Sequence, residues 1–267
     1  MRRPAVQWAL AILITLTSAV WQRMSGPTYP VRGTVNLGGE SIRLRLERTH
    51  SISARQPVVV KAADSGVTGE VSWRRYPTQD PWRTEPLDRR GDELRAELPP
   101  EPSPLMPPAG KLEYQVRLER GGDEAVFPAV PAVTRFKGDV AGAILAPHIF
   151  AMFIGMLVST RAGLAAVLGG RIRLVTGLTL ALLVAGGLIL GPIVQKIAFG
   201  AYWTGVPWGW DLTDNKTLIA ALAWAFAAWR VGKGGGFGAR AAVALAALVT
   251  LVVFAIPHSV WGSEVKW

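Results

Sequence analysis

The sequence predicts an α+β protein: a helical transmembrane bundle, made of an N-terminal anchor plus four spans, that carries an exported antiparallel β-sandwich. Three observations lead there. Half of the 267 residues are hydrophobic and mean hydropathy is +0.27, high for a chain dissolved in water. Charged residues make up 18%, and most of them lie within 22–139, whereas 140–267 is dominated by Ala, Leu, Val and Gly. Apolar and polar residues alternate in short runs within 31–135 but gather into long apolar runs beyond 140. The expected organisation is an anchor or signal over 1–21, the sandwich over 22–139, and a four-helix transmembrane domain over 140–267 with an outer aromatic loop at 192–216.

The first apolar run, 5–21, comes after Arg2 and Arg3 and ends in aromatic Trp21. It is near the lower limit for a spanning helix, and a basic start before a short apolar core also fits a secretory signal. Both readings export the polar domain. Four further runs, 140–159, 174–191, 217–229 and 241–256, each extend to about 18 residues, enough for roughly 30 Å of hydrocarbon.

Basic residues orient these runs. Arg2 and Arg3, then Arg161, Arg171 and Arg173, then Arg230, Lys233 and Arg240 mark three stretches without an acid, and such stretches stay cytoplasmic. Five crossings satisfy all three. The expectation is an inner (cytoplasmic) membrane protein with a cytoplasmic N-terminus and with 22–139, 192–216 and 257–267 on the outer side. Its first partner is the lipid bilayer. The net charge of +10 belongs largely to this topology signal. No basic stripe with interleaved stacking aromatics points to nucleic acid. The absence of cysteine removes disulfides, thiolate metal sites and covalent c-type haem attachment.

In the polar domain, strands are expected at 34–37, 42–46, 58–61, 69–75, 93–97 and 112–119. Leu112, Tyr114, Val116 and Leu118 alternate with Glu113, Gln115, Arg117 and Glu119, the period of a half-buried strand. Turns are signalled by Gly38-Gly39, Arg90-Gly91-Asp92 and Gly121-Gly122, and the proline-rich stretch 99–108 is excluded from a central strand. His50, between Thr49 and Ser51, reads as an exposed loop residue, and Trp73 and Trp82 as core or surface cover. The segment through 71–76, Trp82 and 107–114 resembles an immunoglobulin-like or fibronectin type III-like module. That resemblance implies a binding or spacer role and a protein partner on the sandwich.

The functional expectation rests on two histidines and one loop. His148 lies at the mouth of the run 140–159 and comes directly after Pro147, which suits a first helical turn near Ala146. His258 comes directly after Pro257 at the end of the last run. On five crossings both emerge on the same face as the loop, which holds Tyr202, Trp203, Trp208, Trp210, Asp211, Asp214, Lys196 and Lys216. Gly200, Gly205, Pro207 and Gly209 shape it, and Asp211 or Thr213 is placed to cap a helix starting near Asp214. Ionisable groups at a membrane face are costly and mark candidate sites.

Trp208-Gly209-Trp210-Asp211 resembles the end of the tryptophan-rich WWD motif of the haem-handling membrane proteins of cytochrome c maturation. The resemblance implies a b-type haem with His148 and His258 as axial ligands. It also implies contacts from Trp203, Trp208, Trp210 and Asp211 to the macrocycle and its propionates. Lys196 and Lys216 are available counter-charges, and Met152 and Met156 candidate packing partners of the ring. Two other readings stand beside it. One is a metal or proton site built from His148, His258, Asp211, Asp214 and Glu264. The other is a non-catalytic structural or assembly subunit. Motifs for serine hydrolases, zinc proteases and phosphate loops are absent, so an enzyme is not the expectation.

Overall fold

The computed structural model describes residues 4–257, which fold as two compact units. One is the β unit, residues 28–139. The other is a helical unit of residues 4–27 and 140–257.

In the β unit the expected alternation becomes strands β1 (Val31–Leu37), β2 (Glu40–Leu46), β3 (Thr49–Ser51), β4 (Gln56–Lys61), β5 (Thr68–Arg75), β6 (Arg83–Pro86), β7 (Asp88–Arg90), β8 (Glu93–Leu98), β9 (Lys111–Arg120) and β10 (Asp123–Lys137). They form a β1-β2 ribbon, a five-stranded sheet in the order β3-β10-β9-β5-β6, and a three-stranded sheet in the order β4-β8-β7. All neighbours are antiparallel except β10 and β3. Ile42 and Leu44 from β2, Val58 and Val60 from β4, Leu94 and Leu98 from β8, and Leu112, Tyr114, Val116 and Leu118 from β9 enter one shared core.

All six expected strands are present, extended by a residue or more at most of their ends. Four others were not expected. β10 carries Pro128 and Pro131, which withhold ladder donors, and its register with β9 shifts between Phe127 and Ala132. His50 is not in a loop: it sits on β3 opposite Phe136, with the two rings edge to face at 6.2 Å. Trp73 is buried, and Trp82 lies under the Arg74 guanidinium at 4.6 Å.

A polar knot crosses this core. Tyr114 Oη donates to the Glu47 carbonyl at 2.6 Å, Gln56 Nε2 donates to Tyr114 Oη at 3.0 Å, and Thr134 Oγ1 donates to Gln56 Oε1. Burial raises the Tyr114 phenol well above its ordinary range because it disfavours the phenolate. The stabilisation from its neutral form is therefore complete below about pH 10 and is lost as pH rises towards the folded value. Alkaline ultraviolet titration is expected to show Tyr114 ionising only as the β unit unfolds. Ionisation of Tyr114 while the β unit is still folded, judged against a Tyr114→Phe variant, would contradict this placement.

The helical unit contains α1 (Pro4–Ser25), α2 (Gly142–Leu168), α3 (Arg173–Leu182), a π-helical segment (Leu183–Leu190), α4 (Gly191–Phe199), α5 (Leu212–Lys233) and α6 (Phe237–Ala255). Segment α3, the π turn and α4 run as one helix, Arg173–Phe199. Among the described residues four helices are long and apolar enough to cross a membrane: Pro4–Ser25, Gly142–Leu168, Arg173–Phe199 and Phe237–Ala255. Their outward faces expose Leu13, Leu16, Val20, Phe150, Phe153, Leu245 and Val252, an inside-out pattern that suits lipid.

The fifth expected span, α5, is helical over 22 residues but is not among the four, its ends carrying Asp214, Lys216, Arg230 and Lys233. It pairs with α6 along its whole length. Lys216 meets Ile256 at one end, Trp224 Nε1 donates to Thr250 Oγ1 at 2.8 Å midway, and Arg230 lies against Gly238 at the other end.

Small residues bring the helices together. Gly163 backs onto Ala247, and Ala162, Ala165, Ala220, Ala227, Ala242 and Ala246 are buried between α2, α5 and α6. The helices outrun the expected ranges, so the connections shrink to 169–172, 200–211 and 234–236. Arg161 and Arg240 therefore belong to helices and not to loops. Arg240 reaches back to the carbonyls of Ala165, Ala166 and Gly170 and closes the C-terminal end of α2.

Candidate functional site

His148 stands in the second turn of α2, one turn further in than expected, because the helix starts at Gly142 and leaves Pro147 inside it. Its Nδ1 lies 2.9 Å from the Gly186 carbonyl in the π-helical segment. A carbonyl only accepts, so the contact requires Nδ1–H and leaves the Nε2 lone pair for a proton or a metal. The wide π turn supports the contact. Gly186 O already accepts from the Gly191 N–H five residues on, and that geometry opens the carbonyl to a second donor. Gly186 packs on Ala151 and on Met152, whose sulfur fills the space beside Gly186 and Gly187. Met152 is thus packed against these glycines. Sequence reasoning missed the π turn; the Gly186-Gly187 pair inside an apolar helix was its only local sign.

The aromatic loop is shorter than expected and is organised from within. Asp211 caps α5, its Oδ1 accepting from the N–H of Thr213 at 2.8 Å and of Asp214 at 3.4 Å. Asp214, 5% exposed, concentrates four donors on Oδ2: Gln195 Nε2 at 3.0 Å, Thr204 N at 2.6 Å, Gly205 N at 3.0 Å and Thr204 Oγ1 at 3.3 Å. Gln195 belongs to α4, so this one carboxylate ties α4, the loop and α5 together. Gly205 makes it possible, since a Cβ there would sit 2.7 Å from Asp214 Cβ and from Asn215 Oδ1.

With the polar groups turned inward, the tryptophans are displayed. Trp208 is 80% and Trp210 85% exposed, and Tyr202 is exposed as well. Trp203 is turned back, its Nε1 donating to the Val206 carbonyl at 3.1 Å.

The charged candidates take unexpected places. Lys196 lies on α4, not in the loop; its ammonium donates to the Gly200 carbonyl at 2.7 Å and rests 5.5 Å from the Tyr202 ring. Lys216 is 2% exposed and donates to the carbonyls of Ile256 at 2.7 Å and Pro257 at 3.3 Å. It closes the end of α6 and does not face outward as a counter-charge. Asp211 likewise spends its carboxylate on the helix N-terminus and on the Thr204 hydroxyl.

His258 and Glu264 lie outside the described residues. Pro257 does not, and it has a defined level in the bundle. Lys216 holds its carbonyl, and the adjacent Thr217 presses its Cγ2 against Gly187, one residue from the partner of His148. His148 and the end of α6 therefore share one level. Among the described residues no three His, Asp or Glu side chains gather to hold a metal ion. Comparison with protein-family models, with curated proteins and with solved structures gives no match for this chain.

Proposed function

We propose that this chain is an inner-membrane haem-handling protein. It holds a b-type haem on its outer face between His148 and His258, beside the shelf formed by Trp208 and Trp210. The observation that carries the reading is the Nδ1 contact of His148 with the Gly186 carbonyl. A ligating imidazole needs its other ring nitrogen fixed by an acceptor, and this bond fixes both tautomer and ring orientation. The common level of His148 and Pro257 supports the pairing, because His258 is one peptide unit, about 3.8 Å, beyond Pro257.

Fit of the remaining residues is selective. Trp208, Trp210 and Tyr202 offer exposed ring faces, and Lys196 is the available cation at the loop for a propionate. Trp203, Asp211 and Lys216 serve the architecture of the site. A bound haem would supply redox or carrier chemistry; the chain's own residues orient the imidazole, hold the shelf rigid and close the helix ends around it.

In this reading α5 crosses the membrane with α6, since the two are paired end to end, and five crossings put the β unit outside. That unit then acts as an exported sandwich of immunoglobulin type that contacts a protein partner.

Pyridine haemochrome assay and a reduced-minus-oxidised visible spectrum of the purified protein test the proposal. About one b-type haem per chain is expected. His148→Ala or His258→Ala is expected to lower retention at least tenfold, the usual cost of disturbing a ligand set. Full retention in the double variant would remove bis-histidine ligation, and a flat spectrum from haem-replete cells would remove the haem.

A further inference from the structure

Arg161 is buried within the helical unit, only 8% exposed, seven residues before the end of α2. Among the described residues its Nε and Nη1 have no hydrogen-bond partner. Its guanidinium lies over the Trp8 ring of α1 at 5.5 Å, the one compensating contact identified for it. This contrasts with Arg240, one turn further along the same bundle end, whose Nε, Nη1 and Nη2 are all bonded to carbonyls.

A lysine or carboxylate in this position could shed its charge; a guanidinium cannot. A buried cation compensated only by an aromatic face is unfavourable, so an anion at the two open N–H groups is favoured. The helical unit does not supply one. Within 4–27 and 140–257 the only carboxylates are Asp211 and Asp214, and both are committed to the aromatic loop at the opposite end of α2. The near end holds Arg161, Arg171, Arg173, Arg230, Lys233 and Arg240. A second buried polar group waits at the same height. Contacts of His148 with Gly186 and of Gly155 with Leu182 fix an antiparallel register that sets residue 161 level with Thr176. The Thr176 hydroxyl is 1% exposed and also lacks a partner.

We infer that Arg161, with Trp8 as its stacking wall, is a binding site for the phosphate of an anionic phospholipid on the basic side of the bundle. The inference rests on the membrane reading of α1 and α2 and is independent of haem. A planar guanidinium suits a phosphate diester, the indole body suits the acyl–headgroup boundary, and clustered arginines draw anionic lipid to that leaflet.

Purified protein in three vesicle preparations tests this: phosphatidylcholine alone, phosphatidylcholine with phosphatidylglycerol, and phosphatidylcholine with inorganic phosphate added. Thermal unfolding is monitored by tryptophan fluorescence. The lipid mixture is expected to raise the midpoint by about 5 °C. Arg161→Met should abolish that rise while leaving the midpoint in phosphatidylcholine equal or higher, because it removes an unpaired buried charge and keeps the volume. Lys233→Gln, an exposed basic position, should keep the rise.

A rise that survives in Arg161→Met, or no rise in the parent protein, would overturn the site. An equal rise with inorganic phosphate would overturn the lipid as its source. If Arg161→Met does not fold, Arg161→Lys and native mass spectrometry of the parent protein decide. Retained phosphatidylglycerol that is lost in Arg161→Lys supports the inference, and equal retention of both lipids overturns it.

Discussion

Asp214→Ala is expected to unfasten the aromatic loop and to lower stability by about 3 kcal/mol. That magnitude comes from the number of donors that lose one acceptor. Gln195 Nε2, Thr204 N, Thr204 Oγ1 and Gly205 N all converge on Asp214 Oδ2. Thr204 Oγ1 keeps Asp211 Oδ2 and Gln195 Nε2 keeps Thr204 Oγ1, so the backbone N–H groups of Thr204 and Gly205 are the donors left unmatched. Each costs on the order of 1–3 kcal/mol, and water reaching a surface loop recovers part of that sum. The Asp211 cap remains, so α5 should still begin at the same place. The visible consequence is local: limited proteolysis should cut within 200–211 in the variant and not in the parent, and near-ultraviolet dichroism of the tryptophans should fall.

Asp214→Asn, which keeps one carbonyl oxygen, is expected to lie between the two. Under the haem proposal the same variant loses its shelf, so haem retention should drop although both histidines are intact. An unchanged proteolytic pattern would mean that the loop owes its shape to something other than this carboxylate.

Gly186→Ala is the second large effect. A Cβ at this position would lie 2.8 Å from Ala151 Cβ, 3.1 Å from Met152 Sδ and 3.3 Å from the Met152 backbone nitrogen. Met152 Sδ can swing aside, but Ala151 and the α2 backbone cannot. The π segment must then move away from α2, at a cost of about 1–3 kcal/mol for overpacking. The same displacement lengthens the His148–Gly186 bond, so stability and, under the haem proposal, haem retention should fall together.

Gly177→Ala provides the internal comparison. Nothing lies within 4 Å of its added Cβ, so a helix-favouring residue there should be neutral or stabilising by up to about 1 kcal/mol. Thermal unfolding in one detergent separates the pair. Equal behaviour of the two variants would show that α2 and the π segment are not in close contact.

These effects also mark how far the residues could be read in order. Where a polar group's fate is local, sequence sufficed. Asp211 was a legible cap because an N-cap interacts only two and three residues ahead. Strand β9 was legible because its alternation records which face is apolar, and β2, β4, β5 and β8 obey the same rule. Strand β10 was not, since its prolines argue against a strand locally while nine residues of pairing with β9 outweigh them. Helix ends were underestimated for a related reason. The apolar run ends before the helix does, and Gln195, Lys196, Lys216 and Arg230 continue helices whose terminal turns are held by tertiary contacts.

By itself the sequence determined the division into a strand-rich polar part and an apolar helical part, the positions of the apolar runs, the small-residue composition that allows close helix packing, and the aromatic character of the loop. All are properties of composition and period, which act residue by residue. Only the tertiary structure decided which polar groups face outward and which are consumed inside. Lys216 read as an available charge yet closes the end of α6, Asp214 read as one acid among several yet organises the loop, and Arg161 read as a loop cation yet is buried in α2. The physical reason is that a buried polar group is fixed by its partner. The contacts of these three come from the end of α6 for Lys216, from the loop and α4 for Asp214, and from Trp8 of α1 for Arg161, distant positions of which a one-dimensional pattern keeps no record.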